Sequence, residues 1–339
     1  MPQPSQTNRT ANIAEIKGLV KISYEIRQPM LVLGDPGLGK SQSFAQAAGE
    51  MGVQFSDLRT TLIDPVDLRG LPDVDRENRI TRWLQPEFLP QDGEGILLLD
   101  ELPAASPMVQ SALLQLVLDR RIGDYVLPDG WCVFAAGNYA SNRSGSSKLN
   151  KALASRFLQV HARADVPVWS TWANESGLAP EIVAFINYRP DLLHAFDARS
   201  EDAFPCPRSW SFASRYVASV TDRSTLGLAL EGFIGPGATS EFLGFLDIAL
   251  SLRSPEVYLT NPEHEPLPKA NETSSLYALT LALAAKACKD NAESFFTLMR
   301  RLPKEFGWLG IKSATERDSV LLSTKGYVDF VVENDQFMG

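Results

Sequence analysis

Cysteine is scarce in this chain. Cys132, Cys206 and Cys288 are three residues among 339, an odd number too widely spaced for a disulfide framework or a zinc ribbon, and they read as buried, reduced thiols. Basic charge is also in short supply. Lys and Arg number 32 against 41 Asp and Glu, for a net charge of −9, so no overall field draws the chain to nucleic acid or to an anionic membrane. Nowhere do about 18 apolar residues run together as a membrane span requires. Residues 1–10 lack the apolar stretch of a secretory signal, the pattern expected of a cytoplasmic protein. No internal repeat is apparent. What is present is globular in character: 44% hydrophobic and 22% charged residues lie near the average for folded domains. The length predicts two domains, or one core with a large appendage.

Hydrophobic spacing supplies the order of elements. Asn12, with Glu15 three residues on, reads as a capping box opening a helix that carries Ile13, Ile16 and Val20 on one face. Met30 to Leu33 is a short apolar run that leads into a glycine-rich stretch, and Phe44, Ala47, Ala48 and Met51 follow at helical spacing. Val53 to Leu58, Ile96 to Leu99 and Trp131 to Ala136 read as strands, and Ser106-Pro107 opens a helix through Ala112, Leu113 and Leu116. Strands alternating with helices predict a parallel α/β sheet, and the fully apolar Ile96-Leu-Leu-Leu99 suits a central strand covered on both faces. After about Arg163 strand alternation stops. Trp169, Trp172, Ile182, Val183, Phe185 and Ile186 recur at helical spacing as core positions. Gly235-Pro-Gly237 reads as a break, with helices over Phe242 to Leu252 and Leu276 to Cys288.

The chemistry is concentrated in two places. Gly34-Asp35-Pro36-Gly37-Leu38-Gly39-Lys40-Ser41 has the phosphate-loop spacing and sits between a strand and a helix, as the mechanism requires. Glycines let backbone N–H groups converge on phosphate oxygens at a helix N-terminus, Lys40 reaches the β and γ phosphates, and Ser41 ligates Mg²⁺. The ligand implied is Mg-ATP. About 60 residues on, Ile96-Leu-Leu-Leu-Asp100-Glu101 delivers two carboxylates to a strand's C-terminal end, where ligands sit in such sheets. Asp100 is assigned to the magnesium shell, and Glu101 to orienting and deprotonating a water.

With these motifs the chain resembles the MoxR branch of AAA+ ATPases, over residues 12 to about 220. The resemblance implies an α/β P-loop AAA+ core with a parallel sheet flanked by helices (12–163, after a flexible tail over 1–11), an α-helical lid (164–235) and a helical C-terminal extension (236–339). It implies further roles: Asn138, in Ala-Ala-Gly-Asn, as the sensor that positions the water; Arg156, in Leu-Ala-Ser-Arg-Phe, as an arginine finger reaching a neighbouring subunit's γ-phosphate; and Arg208, in Pro-Cys-Pro-Arg-Ser-Trp, as a second sensor on a lid helix. Asp64 through Pro90 matches the branch's helix insert, and Arg120 to Trp131 matches its hairpin, with Asp129-Gly130 as the turn signal. Arg79, Arg82 and Trp83 fall in the first of these, which face the ring pore in the family; for Trp83 local packing is the reading favoured here.

The function implied is ATP hydrolysis in a homo-hexameric ring that remodels or activates a partner protein, with a von Willebrand factor A-domain protein as an associated partner. Other readings of the same residues are a nucleic-acid motor, which the acidic balance disfavours, an ATP-gated scaffold with slow turnover, and a small-molecule kinase, which leaves Asn138, Arg156 and Arg208 without a role.

Overall fold

The computed structural model describes residues 10–139 and 149–333, and these form two compact units, one ending at Ala164 and the other beginning at Asp165. The first contains β1 (Thr10–Ala11), α1 (Ile13–Glu25), β2 (Met30–Leu33), α2 (Lys40–Met51), β3 (Gln54–Arg59), α3 (Pro65–Arg69), β4 (Leu71–Asp75), β5 (Ile80–Leu84), β6 (Glu94–Asp100), α4 (Pro107–Asp119), β7 (Arg121–Ile122), β8 (Tyr125–Val126), β9 (Gly130–Gly137), α5 (Lys151–Ala154) and β10 (Leu158–Ala162). Six strands build one sheet in the order β1-β10-β2-β9-β6-β3, and every pairing in it is parallel. The expected α/β class is therefore what the chain adopts.

The two-residue period of the strands divides the core. Leu31, Leu97, Leu99, Val133 and Ala135 point to one side, where they meet Val109, Leu113 and Leu116 of α4. Met30, Val32, Ile96, Leu98, Phe134 and Ala136 point to the other, against Ile16 and Val20 of α1 and Phe44 and Ala47 of α2. Burial on both faces is why these strands read as unbroken apolar runs. The helix starts also follow the sequence signals. Asn12 accepts from the Glu15 N–H (2.9 Å) while Glu15 accepts from the Asn12 N–H (2.8 Å), and Ser106 caps α4 ahead of Pro107.

Three expectations are corrected. Thr10 and Ala11, assigned to a flexible tail, form the edge strand β1, because β10 has backbone groups left to pair. The hairpin over Arg120 to Trp131 is present, but its turn is the two-residue Gly123-Asp124 loop between β7 and β8. Gly130 instead begins β9, where a Cβ would lie 2.4 Å from the Gly93 carbonyl; the glycine there serves close strand approach. Cys288, read as buried, is exposed, whereas Cys132 and Cys206 are buried.

Between Asp64 and Pro90, β4 and β5 pair as an isolated antiparallel hairpin after α3. Leu71, Val74, Ile80 and Leu84 are exposed on it, and Trp83 stands across from Pro72, 37% exposed.

The second unit is helical: α6 (Val166–Glu175), α7 (Pro180–Tyr188), α8 (Pro207–Ser219), α9 (Arg223–Ser251), α10 (Pro255–Thr260), α11 (Thr273–Lys286), α12 (Ala292–Arg301), α13 (Lys304–Arg317) and α14 (Lys325–Glu333). Trp169, Ile182, Val183, Phe185 and Ile186 are core residues, as the spacing indicated. The break expected at Gly235 is a kink inside α9, where Gly235 has φ 77° and ψ 163° ahead of Pro236. Among the described residues no helix is long and apolar enough to cross a membrane.

Removal of the capping box tests the first helix. Asn12→Ala should lower the unfolding free energy by about 0.5–2 kcal/mol, read as a reduced urea midpoint at unchanged m-value; an unshifted midpoint would contradict the role assigned to this cap.

Candidate functional site

Parallel register places the candidate residues at one edge. Leu33 pairs with Gly137, Leu99 with Ala135, and Arg59 with Asp100, so the segments after β2, β9, β6 and β3 leave the sheet side by side. Those segments carry Gly34 to Ser41, Asn138, Asp100-Glu101 and Thr60-Thr61 respectively.

The glycine-rich loop has the backbone its sequence demands. Gly37 and Gly39 have φ of 82° and 83°, a region that side-chain-bearing residues visit at a cost, and Gly39 is the N-cap of α2. Gly34 donates to the Gly137 carbonyl (3.2 Å) and packs so closely that a Cβ would stand 3.1 Å from that of Ala162. Leu38 anchors the loop in the core. Lys40 is 8% exposed, and its ammonium donates to the carbonyls of Gly34 (3.0 Å) and Asp35 (2.7 Å) and to Asn138 Oδ1 (2.9 Å). The loop lysine and the strand-end asparagine, 98 residues apart in sequence, are thus in direct contact.

A second contact joins the loop to the acidic pair. Ser41 Oγ donates to Asp100 Oδ2 at 2.8 Å, setting a hydroxyl and a carboxylate side by side as hard oxygen donors of the kind Mg²⁺ takes. Among the described residues no group of three or more His, Cys, Asp or Glu gathers as a metal site, so Ser41 and Asp100 would hold Mg²⁺ only with further oxygens from a bound phosphate chain and water.

Glu101 turns sharply away from β6. Its backbone is left-handed, with φ 57° and ψ 26°, a conformation that costs an L-residue roughly 1–2 kcal/mol and is found where surrounding structure enforces it. The enforcing contacts are visible. The Glu101 N–H donates to Asp100 Oδ1 (2.9 Å), and Pro103 packs on Gly137 so closely that a Cβ there would stand 2.2 Å from the proline ring. Glu101 Oε2 accepts a 2.7 Å bond from Thr61 Oγ1, while Thr60 Oγ1 donates to the Asp100 carbonyl at 2.9 Å.

Thr60 and Thr61 were not identified from the sequence. Their one signal is that they follow the strand Val53 to Leu58, and threonine after a strand is too common to single out. Asp57 on β3 also went unnoticed. Its carboxyl is held above the ordinary 3.8 first by the protein atoms that crowd it, then by repulsion from Asp100, while Arg59 pulls the other way and Glu101 adds a smaller push.

The two remaining arginines are not gathered into this cluster by any contact described. Arg156 follows α5 and is exposed; its backbone carbonyl accepts from Gln28 Nε2 at 3.2 Å. Arg208 is the second residue of α8 in the helical unit, also exposed.

No family model matches the chain, and no curated protein matches it. Solved structures similar to it include a candidate ATPase of Cytophaga hutchinsonii, at 16% identity, TM-score 0.36 and coverage of 96% of this chain and 89% of the other. Another is NtrX of Brucella abortus in complex with ADP, at 13% identity, TM-score 0.42 and coverage of 87% and 68%. A third is the RuvB Holliday junction branch migration motor of Thermotoga maritima, at 14% identity, TM-score 0.39 and coverage of 78% and 80%. All three TM-scores lie below 0.5, and the fold stands on the strand order and loop geometry of the chain itself.

Asp57 gives this edge a pH signature. The folded chain holds the Asp57 proton more tightly than the unfolded chain, so the stability it contributes is present where it is protonated and is lost as pH rises through its folded-state value. Asp57→Asn should therefore raise the melting temperature near neutral pH, with the gain shrinking as pH falls through the folded-state value toward 3.8 and absent below it. Paired thermal melts check this, and a variant less stable than wild type at neutral pH would reverse the sign.

Proposed function

We propose that this chain is an ATPase of the MoxR branch of AAA+ proteins, hydrolysing Mg-ATP in a homo-hexameric ring to remodel or activate a partner protein, with a von Willebrand factor A-domain protein as an associated partner. The observation that carries the reading is the convergence at one sheet edge of Lys40 on Asn138 (2.9 Å), Ser41 on Asp100 (2.8 Å) and Thr61 on Glu101 (2.7 Å). A loop lysine, a hydroxyl beside a carboxylate, a second carboxylate and an amide meet the requirements for binding a phosphate chain and activating a water against it.

In this reading Lys40 exchanges its oxygen partners for the β and γ phosphates, and the backbone N–H groups of Gly37 to Ser41 receive the phosphate oxygens at the start of α2. Mg²⁺, held by Ser41 and Asp100, supplies charge neutralisation when bound. Glu101 accepts the proton of the attacking water once its bond from Thr61 is released, and Asn138 orients that water. Arg156 acts on the γ-phosphate of the neighbouring subunit, and its exposure supports a role outside its own fold. Residues 164–235 act as the lid, with Arg208 as its sensor, and 236–339 as the extension. The exposed Leu71, Val74, Ile80 and Leu84 of the β4–β5 hairpin support contact with a partner chain, because a two-stranded hairpin open to water on both faces is marginal alone.

Glu101→Gln keeps the side chain's size and removes the base. ATP affinity by calorimetry should stay near wild type while hydrolysis falls by roughly 10²–10⁴; parallel loss of both would assign Glu101 to structure instead.

The claim about Arg156 is tested by mixing. Arg156→Ala should bind ATP yet hydrolyse it slower by roughly 10³–10⁵, and Lys40→Ala should not bind it. A ring containing both has interfaces that join an intact loop to an intact finger. Phosphate release should return on mixing once fluorescence transfer shows subunit exchange. Exchange without any recovery at all ratios tried would remove the support for action across subunits.

A further inference from the structure

A cavity with both polar and apolar walls lies within the helical unit, and none of the candidate site residues lines it. It has a volume of about 140 Å³ and is lined by Ser170 and Asn174 of α6, Asn187 of α7, and Lys312, Ser313 and Glu316 of α13, with aliphatic side chains of α7, α11 and α13 closing one wall. Helical spacing brings these groups together. Ser170 and Asn174 are four apart on α6, and Lys312 and Glu316 are four apart on α13, so each pair shares a face.

Part of this polarity is satisfied internally. Glu316 accepts from Thr171 Oγ1 at 2.8 Å and from Asn174 Nδ2 at 3.0 Å, and Asn187 Nδ2 donates to Ser170 Oγ at 3.0 Å and to the Val183 carbonyl at 2.8 Å. Three groups on the cavity wall are given no bond to protein among the described residues: Asn174 Oδ1, the Ser170 hydroxyl proton and the Ser313 hydroxyl. All three residues are more than nine-tenths buried, with Asn174 5%, Ser170 8% and Ser313 4% exposed. The groups themselves open on the cavity, so an occupant with matching polar atoms, of the bulk of about four or five waters, can reach them.

Charge narrows the choice of occupant. Lys312 Nζ lies 3.8 Å from Glu316 Oε1, with the lysine side chain 54% exposed and the glutamate 15%. That separation is well beyond the roughly 2.7–2.9 Å of a hydrogen-bonded ion pair, which leaves the ammonium able to take a second anionic partner. Two opposite charges stand next to each other at the cavity, and each oxygen of Glu316 retains a lone pair. A free α-amino acid presents the same adjacency in reverse.

We propose that this cavity binds a free amino acid of small side chain. Its carboxylate lies against Lys312 and the Ser313 hydroxyl, its ammonium against Glu316 and Asn174 Oδ1, and its side chain against the aliphatic wall. Asn174 Oδ1 and the Ser313 hydroxyl gain a partner, and each charge of the ligand meets its opposite.

The test uses the full chain with the twenty free amino acids, one at a time, in isothermal calorimetry without nucleotide. At least one of the smaller ones should bind at one site per chain with a Kd below about 1 mM. Its carboxamide, which lacks the anionic end, should bind at least about tenfold more weakly. Lys312→Met, a change at a half-exposed position, should weaken the amino acid about tenfold or more, and Ser313→Leu, which fills the cavity, should abolish binding with the helical circular dichroism retained. If Ser313→Leu does not fold, Lys312→Met and the carboxamide decide. No saturable heat from any amino acid up to about 10 mM would mean that the cavity holds water only and would overturn the proposal, as would equal affinity for the carboxamide or binding that Lys312→Met leaves unchanged.

Discussion

The register of the parallel sheet is the constraint on which the candidate site depends. Parallel strands start and stop in step, so pairing Leu33 with Gly137, Leu99 with Ala135 and Arg59 with Asp100 aligns four chain segments drawn from residues 34 to 138. A slip of one residue would turn every inward side chain outward, and the double-sided core forbids it. Ile96, Leu97, Leu98 and Leu99 are all fully buried, alternating between two separate hydrophobic layers. Hydrophobic packing thereby fixes polar distances that no polar interaction has the strength to fix alone.

At that edge the charges are arranged against their own preference. Asp57, Asp100 and Glu101 crowd together, and the compensation comes from neutral hydroxyls: Ser41 on Asp100 and Thr61 on Glu101. Hydroxyl donors satisfy a carboxylate without cancelling its charge, so the negative potential persists for a cation to answer. The left-handed backbone of Glu101 belongs to the same arrangement. Strain of this kind survives only where neighbouring structure over-determines it, and Asp100 Oδ1 and the packing of Pro103 supply that here.

How much of this was legible in the sequence depended on how each element is stabilised. Strands buried on both faces announced themselves as apolar runs, as Met30–Leu33 and Ile96–Leu99 did, and the Asn12 and Ser106 caps were visible because their hydrogen bonds are local. β1 and β10 were not, since Leu158-Gln-Val-His-Ala162 is short and mixed in polarity and holds its place through pairing with β2. The phosphate loop and the acidic pair were readable because they need particular residue types at fixed spacing. Thr61, Thr60 and Asp57 were not, because their roles follow from the neighbour the sheet gives them. Asp129-Gly130 misled for a related reason: a glycine required by close strand approach carries the same letter as one required by a turn.

Pro103 sets what residue 137 can be, although the two come from different parts of the chain. Since the proline ring fills the space a Cβ at 137 would occupy, the constraint runs one way: a side chain at 137 becomes tolerable only after the ring at 103 has gone, whereas glycine at 137 accommodates either. Descendants of this sequence can therefore change the two positions in one order only, 103 before 137, and the combination that should be missing among related chains is a side chain at 137 with proline at 103.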